Sequence, residues 1–344
     1  NVIGGYAKGL NGFEAGCIFN IDERSVKGVQ LAGVFNIVGH TAQGTQCAGL
    51  FNIVGESFKG FQAAGLMNIN DGVHSGVQMA SLMNITGFAR GCSMAGMMNI
   101  AGTAKGSQLA GMANINDTLY GVAASGMFNI SKCGKTSLQI APVFNISDNG
   151  SSALQLGALF NKTSYLRGVQ IGMLNFADSA NGVPIGFLSF VKKGVHQIEL
   201  SADELFPLNL SFRTGVPAFY NIISVGYKTG SPLWQVGYGV GSSLHLKNKW
   251  YGEITATAHH LSNGRFYISA SDLYRFYVGF EYKFKKRFSV AFGPQLNVYV
   301  SDTYDSDFTS IYNNIPPYHI DNQTNEFGFN RKMWLGGKIA LRFL

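Results

Sequence analysis

The stretch Gly28-Val29-Gln30-Leu31-Ala32-Gly33-Val34-Phe35-Asn36-Ile37 returns sixteen positions later as Gly44-Thr45-Gln46-Cys47-Ala48-Gly49-Leu50-Phe51-Asn52-Ile53. The same frame extends in both directions. Its Asn recurs as Asn20, Asn36, Asn52, Asn68, Asn84, Asn99, Asn114, Asn129, Asn145, Asn161 and Asn175, and Ser189 takes the last place. The spacing is 16 four times, 15 three times, 16 twice and 14 twice. A short, nearly fixed period marks an architecture of stacked repeats.

Within each unit Phe or Met precedes the Asn (Phe35, Phe51, Met67, Met83, Phe128) and Ile follows it, with Ala113 the small exception. Gln stands six residues earlier, as Gln30, Gln46, Gln62, Gln78, Gln108, Gln139 and Gln155, and a small pair such as Ala48-Gly49 lies between. Two geometries fit: a β-solenoid with one repeat per coil, or a meander with one strand per repeat. A meander reverses direction at every strand and would show a doubled period, which is absent. In Gly168-Val169-Gln170-Ile171-Gly172-Met173-Leu174-Asn175 one residue is lost between Gln and Asn. Within one strand that loss would send the two side chains to opposite faces, because the side-chain period is 2. At a glycine corner between two strands it is harmless. The sequence therefore predicts a solenoid of about twelve 14–16-residue repeats over residues 1–192. Asn and Gln are expected to form interior corner ladders, in preference to a ligand-binding or ice-binding surface. Phe/Met and Ile/Val are expected to stack as a narrow apolar core, with Met67, Met79, Met83, Met94, Met97 and Met98 as core filler and not as metal ligands.

Only 13% of the 344 residues are charged, against about 25% in an ordinary soluble chain. Much of the surface therefore meets something other than water, or much of the chain is self-stacked. No run of apolar residues is long enough for a transmembrane helix, so only a closed barrel could cross a membrane. The opening residues Asn1-Val2-Ile3-Gly4-Gly5 have neither a basic segment nor an apolar run, and no secretory signal is expected. The net charge of +7 is dispersed, without a basic run interleaved with aromatics, which argues against nucleic-acid binding. Cys17, Cys47, Cys92 and Cys133 form no CxxC or Cys/His cluster. They are expected to be small buried thiols, too far apart to bridge, and neither a metal nor another cofactor is indicated.

From about residue 193 to 344 the pattern becomes strict alternation. Tyr274, Phe276, Val278, Phe280, Tyr282 and Phe284 share one face, and Arg275, Tyr277, Gly279, Glu281 and Lys283 the other. The last strand sets Leu335, Ile339, Leu341 and Phe343 against Trp334, Lys338 and Arg342. With shorter runs near Val195, Leu208, Phe219 and Trp250, eight strands are predicted, an even number as bacterial outer-membrane barrels require. The fold class is thus all-β: a β-solenoid followed by an eight-stranded antiparallel outer-membrane β-barrel. Eight strands leave an interior that side chains fill. Glu199, Asp203, Arg213, Glu253, Arg275, Glu281, Lys283, Lys338 and Arg342 are therefore expected to form a buried ion-pair network and not a conduction path. Lys247-Asn248-Lys249 and Lys285-Lys286-Arg287 read as tight turns, while residues 263–272 and 301–332 read as long loops. Short turns face the periplasm, which would place the repeats there. Membrane lipid and lipopolysaccharide are the expected surroundings of the barrel, with other outer-membrane or periplasmic proteins as partners.

Two resemblances add to this. The repeats quoted above, the junction Gly182-Val183-Pro184-Ile185-Gly186-Phe187-Leu188-Ser189, and the segments Glu199-Leu200-Ser201-Ala202-Asp203-Glu204 and Phe212-Arg213-Thr214-Gly215 resemble a surface-repeat family common in Bacteroidota and known in spirochaetes. That resemblance implies an outer-membrane address and no particular activity. Separately, His259-His260-Leu261-Ser262-Asn263-Gly264 resembles the His-x-Ser-Asn stretch of outer-membrane lipid A 3-O-deacylases, which are also eight-stranded barrels. It implies His260 as base and Ser262 as nucleophile against an acyl ester. The acid that should orient the His is a Glu in that family. Tyr274 stands at its position here, and Asp272 is the nearest acid. The favoured reading remains non-enzymatic, with His260 and Ser262 as interfacial polar residues on the lipid side.

Overall fold

A computed structural model describes residues 3–264, 271–285, 287–305 and 308–343. Asn1, Val2, the middle of the 263–272 connection and Lys286, all cited above, lie outside the described residues. The chain divides into two compact units between Gly186 and Phe187.

The first unit is the solenoid. Each early coil has a short strand carrying the Asn, such as Phe35–Val38, and a longer one carrying the Gln, such as Thr41–Ala48. Each strand pairs in parallel with its equivalent one coil on, Asn on Asn and Gln on Gln. From Met67–Ala80 onward the two strands run together across the polar corner, while the glycine corner still separates coils. The deletion near Gly172 is absorbed at that corner, and Asn161 Nδ2 still donates to Asn175 Oδ1 at 3.1 Å. A second glycine column, Gly28, Gly44, Gly60 and Gly76, holds φ between 125° and 135°. A Cβ on Gly44 would lie 1.9 Å from the Gly28 carbonyl oxygen, so the coils approach too closely there for any side chain.

The ladder residues are inside: Asn36, Asn52, Asn68 and Gln62 are fully buried. The expectation that Phe/Met and Ile share that interior is overturned. Residues on either side of a buried Asn must point outward, because side chains alternate along a strand. Phe35, Phe51, Ile37 and Ile53 are accordingly half-buried on the outer face. The apolar interior is built instead from Val26, Val38, Ala42, Val54 and Phe58. The methionines are surface-stacked and not core filler, with Met79 and Met97 each 41% exposed. The cysteines are also outward residues. All four are free; Cys17 and Cys133 are exposed and Cys47 and Cys92 half-buried.

The second unit is a closed antiparallel barrel. Its eight strands are Val195–Asp203, Leu208–Val216, Phe219–Tyr227, Leu233–Lys247, Trp250–Asn263, Ser271–Lys285, Phe288–Asp302 and Phe329–Phe343. The last strand pairs back onto the first from Ile198↔Phe343 to Asp203↔Lys338, which closes the ring. A short strand, Asp321–Thr324, pairs with the last one at its start, from Asp321↔Met333 to Thr324↔Asn330. The tight connections, including that between Lys247 and Trp250, gather at one end and the long ones at the other. The expected alternation holds: Phe276, Phe280, Leu335 and Ile339 are exposed, whereas Glu253, Arg275, Glu281 and Arg342 are buried.

Candidate functional site

Two regions of the barrel carry chemistry-bearing side chains: its interior and a groove on its outer wall. In the interior, Arg342 is the hub. Its Nε donates to Glu199 Oε2 at 2.6 Å and its Nη1 to Glu253 Oε2 at 2.8 Å. Arg213 Nη2 reaches the same Glu253 oxygen at 2.8 Å, and Lys338 Nζ donates to Glu199 Oε1 at 3.1 Å. Arg275 pairs with Asp203 at 3.1 Å, and Glu281 lies 3.5 Å from Arg342. Ionised carboxylates and guanidiniums enter a low-dielectric interior only when paired in this way. Of the residues expected in the network, Lys283 is the exception. It lies over the Tyr251 ring, 3.9 Å from the centroid, and among the described residues makes no ion pair.

The interior leaves little space. The cavity between Glu199, Asp203, Asn209, His259 and Arg275 holds about 30 Å³, the room one water occupies. Towards the long loops the inward positions turn apolar. Leu233, Leu261, Leu273, Tyr299 and Trp334 pack with Leu205 and Phe206 from the first loop and Ile311 from the last. Glu204 folds into the same end, where Trp334 Nε1 and Asn297 Nδ2 each donate to its Oε1 at 2.7 Å. This apolar closure was missed in the sequence, although its signal is present: Leu233, Leu261 and Leu273 occupy the same strand phase as the lumen residues Gln235, His259 and Arg275.

On the outer wall, His260 and Asp272 are directly opposed on neighbouring strands, and His260 Nδ1 lies 3.2 Å from Asp272 Oδ1. That contact orients the ring, and among the described residues no hydrogen bond is made by Nε2, the atom that would act as a base. The pair borders a cavity of about 470 Å³ walled by Ile223, Val236, Tyr238 and Tyr274 and floored by Gly237 and Ala258. Phe187 closes one side, stacked on Tyr238 with centroids 4.8 Å apart. His260 is half-exposed beside exposed Ala256 and Ala258, on the outer face as expected. Ser262 is not. It is fully buried, opposite Trp234 on the adjacent strand, at the end where Asn263 Nδ2 donates to Ser310 Oγ of the last long loop at 2.9 Å. The structure thus brings together His260 and Asp272 but withholds the expected nucleophile from the groove. The neighbouring His259 points inward and shares a 2.9 Å hydrogen bond with Thr257 Oγ1.

Compared with protein-family profiles, with curated proteins and with solved structures, the chain matches none.

Proposed function

We propose that this is a non-enzymatic outer-membrane protein whose barrel anchors it in lipid and whose solenoid presents a rigid surface to partner proteins. The observation that carries this reading is the barrel's construction: an apolar exterior around an interior filled by paired charges and an apolar cap. Such a barrel suits an anchor and leaves no room for passage. Stacked-repeat domains offer extended, stiff binding surfaces, and the resemblance to a bacterial surface-repeat family points the same way. The proposed setting is the outer membrane of a Gram-negative bacterium, with the solenoid in the periplasm and the protein an accessory subunit of a larger assembly. Purification of the full chain from native membranes in mild detergent should recover stoichiometric partners. Recovery of the bare monomer at every detergent condition would overturn the reading.

The His260–Asp272 pair beside an outer-wall cavity supports a second reading, an acyl-ester hydrolase acting on lipid A or phospholipid. The burial of Ser262 weighs against it. Lipid A mass spectra from cells carrying Ser262→Ala decide the matter: unchanged acylation removes this alternative.

A further inference from the structure

In seven successive coils the arc from the left-handed glycine to the Ile after the Asn contains no charged residue: residues 28–37, 44–53, 60–69, 76–85, 91–100, 106–115 and 121–130. The next three coils continue it with the uncharged stretches 136–146, 151–161 and 168–176, edged by Lys135, Lys162 and Arg167. The acids and bases of these coils fall in the remaining segment of each turn. Because Gln and Asn point inward, the outward side chains of the arc are almost entirely apolar. They are also exposed, as Leu50 (37%), Phe61 (39%), Met97 (41%), Leu109 (41%) and Met127 (44%) show. Small residues at the glycine corner, Ala48, Gly65, Ala80 and Gly96 among them, floor a groove of about 1010 Å³ running along seven coils.

The size of this surface sets it apart. Ten coils at ~4.8 Å each make a strip roughly 45 Å long. With about eight arc residues across, its apolar area is on the order of 1,000 Å², beyond the few hundred Å² of ordinary exposed patches. A column of cations borders it. Lys27, Lys59, Arg90 and Lys105 stand just before the left-handed glycine, and Lys135 continues their column in register, across eight consecutive coils. All five are exposed, and none forms an ion pair among the described residues. Gln43, Ser75 and Tyr120 fill the gaps, so no acid interrupts the column.

We infer that the charge-free arc of the solenoid lies against the lipid bilayer, with hydrocarbon under the Leu/Met/Phe columns and anionic lipid phosphates under the Lys/Arg column. An apolar face edged by basic residues is the pattern of elements that rest in the membrane interface. The stacked like charges are relieved by an anionic surface and would repel one another without it. A protein partner fits less well. Protein interfaces carry about one hydrogen bond per 100–200 Å², and these outward side chains offer only scattered hydroxyls, such as Thr45, Ser81, Ser107 and Ser137. The arc also repeats nearly unchanged from coil to coil, so it provides no mark by which a partner could find one register.

This inference rests on the proposed membrane anchorage, and the test separates the two. Nitroxide labels are placed singly in a cysteine-free full-length background, at Leu109→Cys and Met97→Cys on the arc, Glu56→Cys and Asp117→Cys on the charged wall, and Phe276→Cys on the barrel exterior. Each variant is screened for retained β content and reconstituted at one copy per nanodisc containing phosphatidylglycerol. Collision with oxygen and with a water-soluble nickel chelate is then measured. The expected result is an oxygen-to-nickel ratio several-fold higher at Leu109 and Met97 than at Glu56 and Asp117, approaching that at Phe276. If Phe276 alone is lipid-exposed and the arc labels match Asp117, the inference falls while the anchorage stands. Arc labels screened from both reagents would mean a protein cover and overturn it equally. Water exposure at Phe276 would remove the anchorage itself.

Discussion

His74 occupies a place in the solenoid interior where the preceding coil has Phe58 and the following one Ala89. It is 1% exposed and stacks on Phe58 with centroids 5.4 Å apart and ring planes 9° from parallel. Its Nε2 is buried without a hydrogen-bond partner among the described residues. Burial of this kind disfavours the imidazolium and pushes the pKa down to about 4. The unfolded chain, with an imidazole near 6.5, therefore binds more protons than the folded one between pH 6.5 and 4. Stability contributed by the neutral ring is complete above pH 6.5 and is lost as pH falls toward 4. Evaluating both titrations at pH 5 gives a loss of about 2 kcal/mol relative to pH 8, or about 30-fold in a local opening equilibrium. His74→Phe continues the Phe58 stack and removes the titration. Hydrogen exchange of the peptides spanning Ser57–Ala64 and Met83–Ala95, compared between the two proteins at each pH, cancels the intrinsic pH dependence of exchange. The native protein should lose about 30-fold in relative protection between pH 8 and 5. Parallel profiles for the two proteins, or an imidazole that titrates near 6.5 by NMR, would refute the reasoning.

Arg342→Met should destabilise the barrel by roughly 3–5 kcal/mol, because it leaves Glu199 and Glu253 buried with part of their charge uncompensated. The check is the urea midpoint of the gel-mobility shift between folded and unfolded barrel in detergent, and an unchanged midpoint would contradict the assigned network. Asn99→Ala removes the acceptor of Asn84 Nδ2 and the donor to Asn114 Oδ1 and to the Leu109 carbonyl. At about 1–3 kcal/mol for each stranded group, exchange protection should fall in Met83–Ala95 and Ala113–Ser125 while the barrel's urea midpoint stays fixed.

Much of this fold was legible because two periodicities are so regular. The spacing of Asn20 through Asn175 specifies registered coils, and the alternation from Tyr274 to Phe284 specifies a two-faced strand. The side of each face was harder to read in the solenoid. Alternation requires Phe35 and Ile37 to oppose Asn36, yet hydrophobicity favours burying the first two and hydrogen bonding favours burying the third. The ladder decides it. Asn36 Nδ2 donates to Asn52 Oδ1 and to the Cys47 carbonyl, each at 2.9 Å, so its amide enters the interior fully paired. Such pairing across coils depends on register, which composition does not reveal. Ser262 was misread for a related reason. Alternation places it outward with His260, yet at the long-loop end, where Asn263 Nδ2 donates to Ser310 Oγ, the position is fully buried.

The solenoid and the barrel therefore share one organisation: backbone paired laterally, a paired polar network and an apolar cluster inside, and many apolar side chains outside. In the barrel the polar interior is held by charges around Arg342, and in the solenoid by amide ladders. An outward Phe in a coil is only half covered by its neighbours, as in the Phe19–Phe35 and Phe128–Phe144 stacks with centroids 5.5 and 4.9 Å apart. The uncovered half of each ring gains about 25 cal/mol for every Å² that leaves water, a gain that the fold of the coil alone does not capture. A stack of this kind would therefore gain stability from an apolar surface laid against the arc. Water is the least favourable medium for that surface, and an apolar environment lowers its free energy without a single new hydrogen bond.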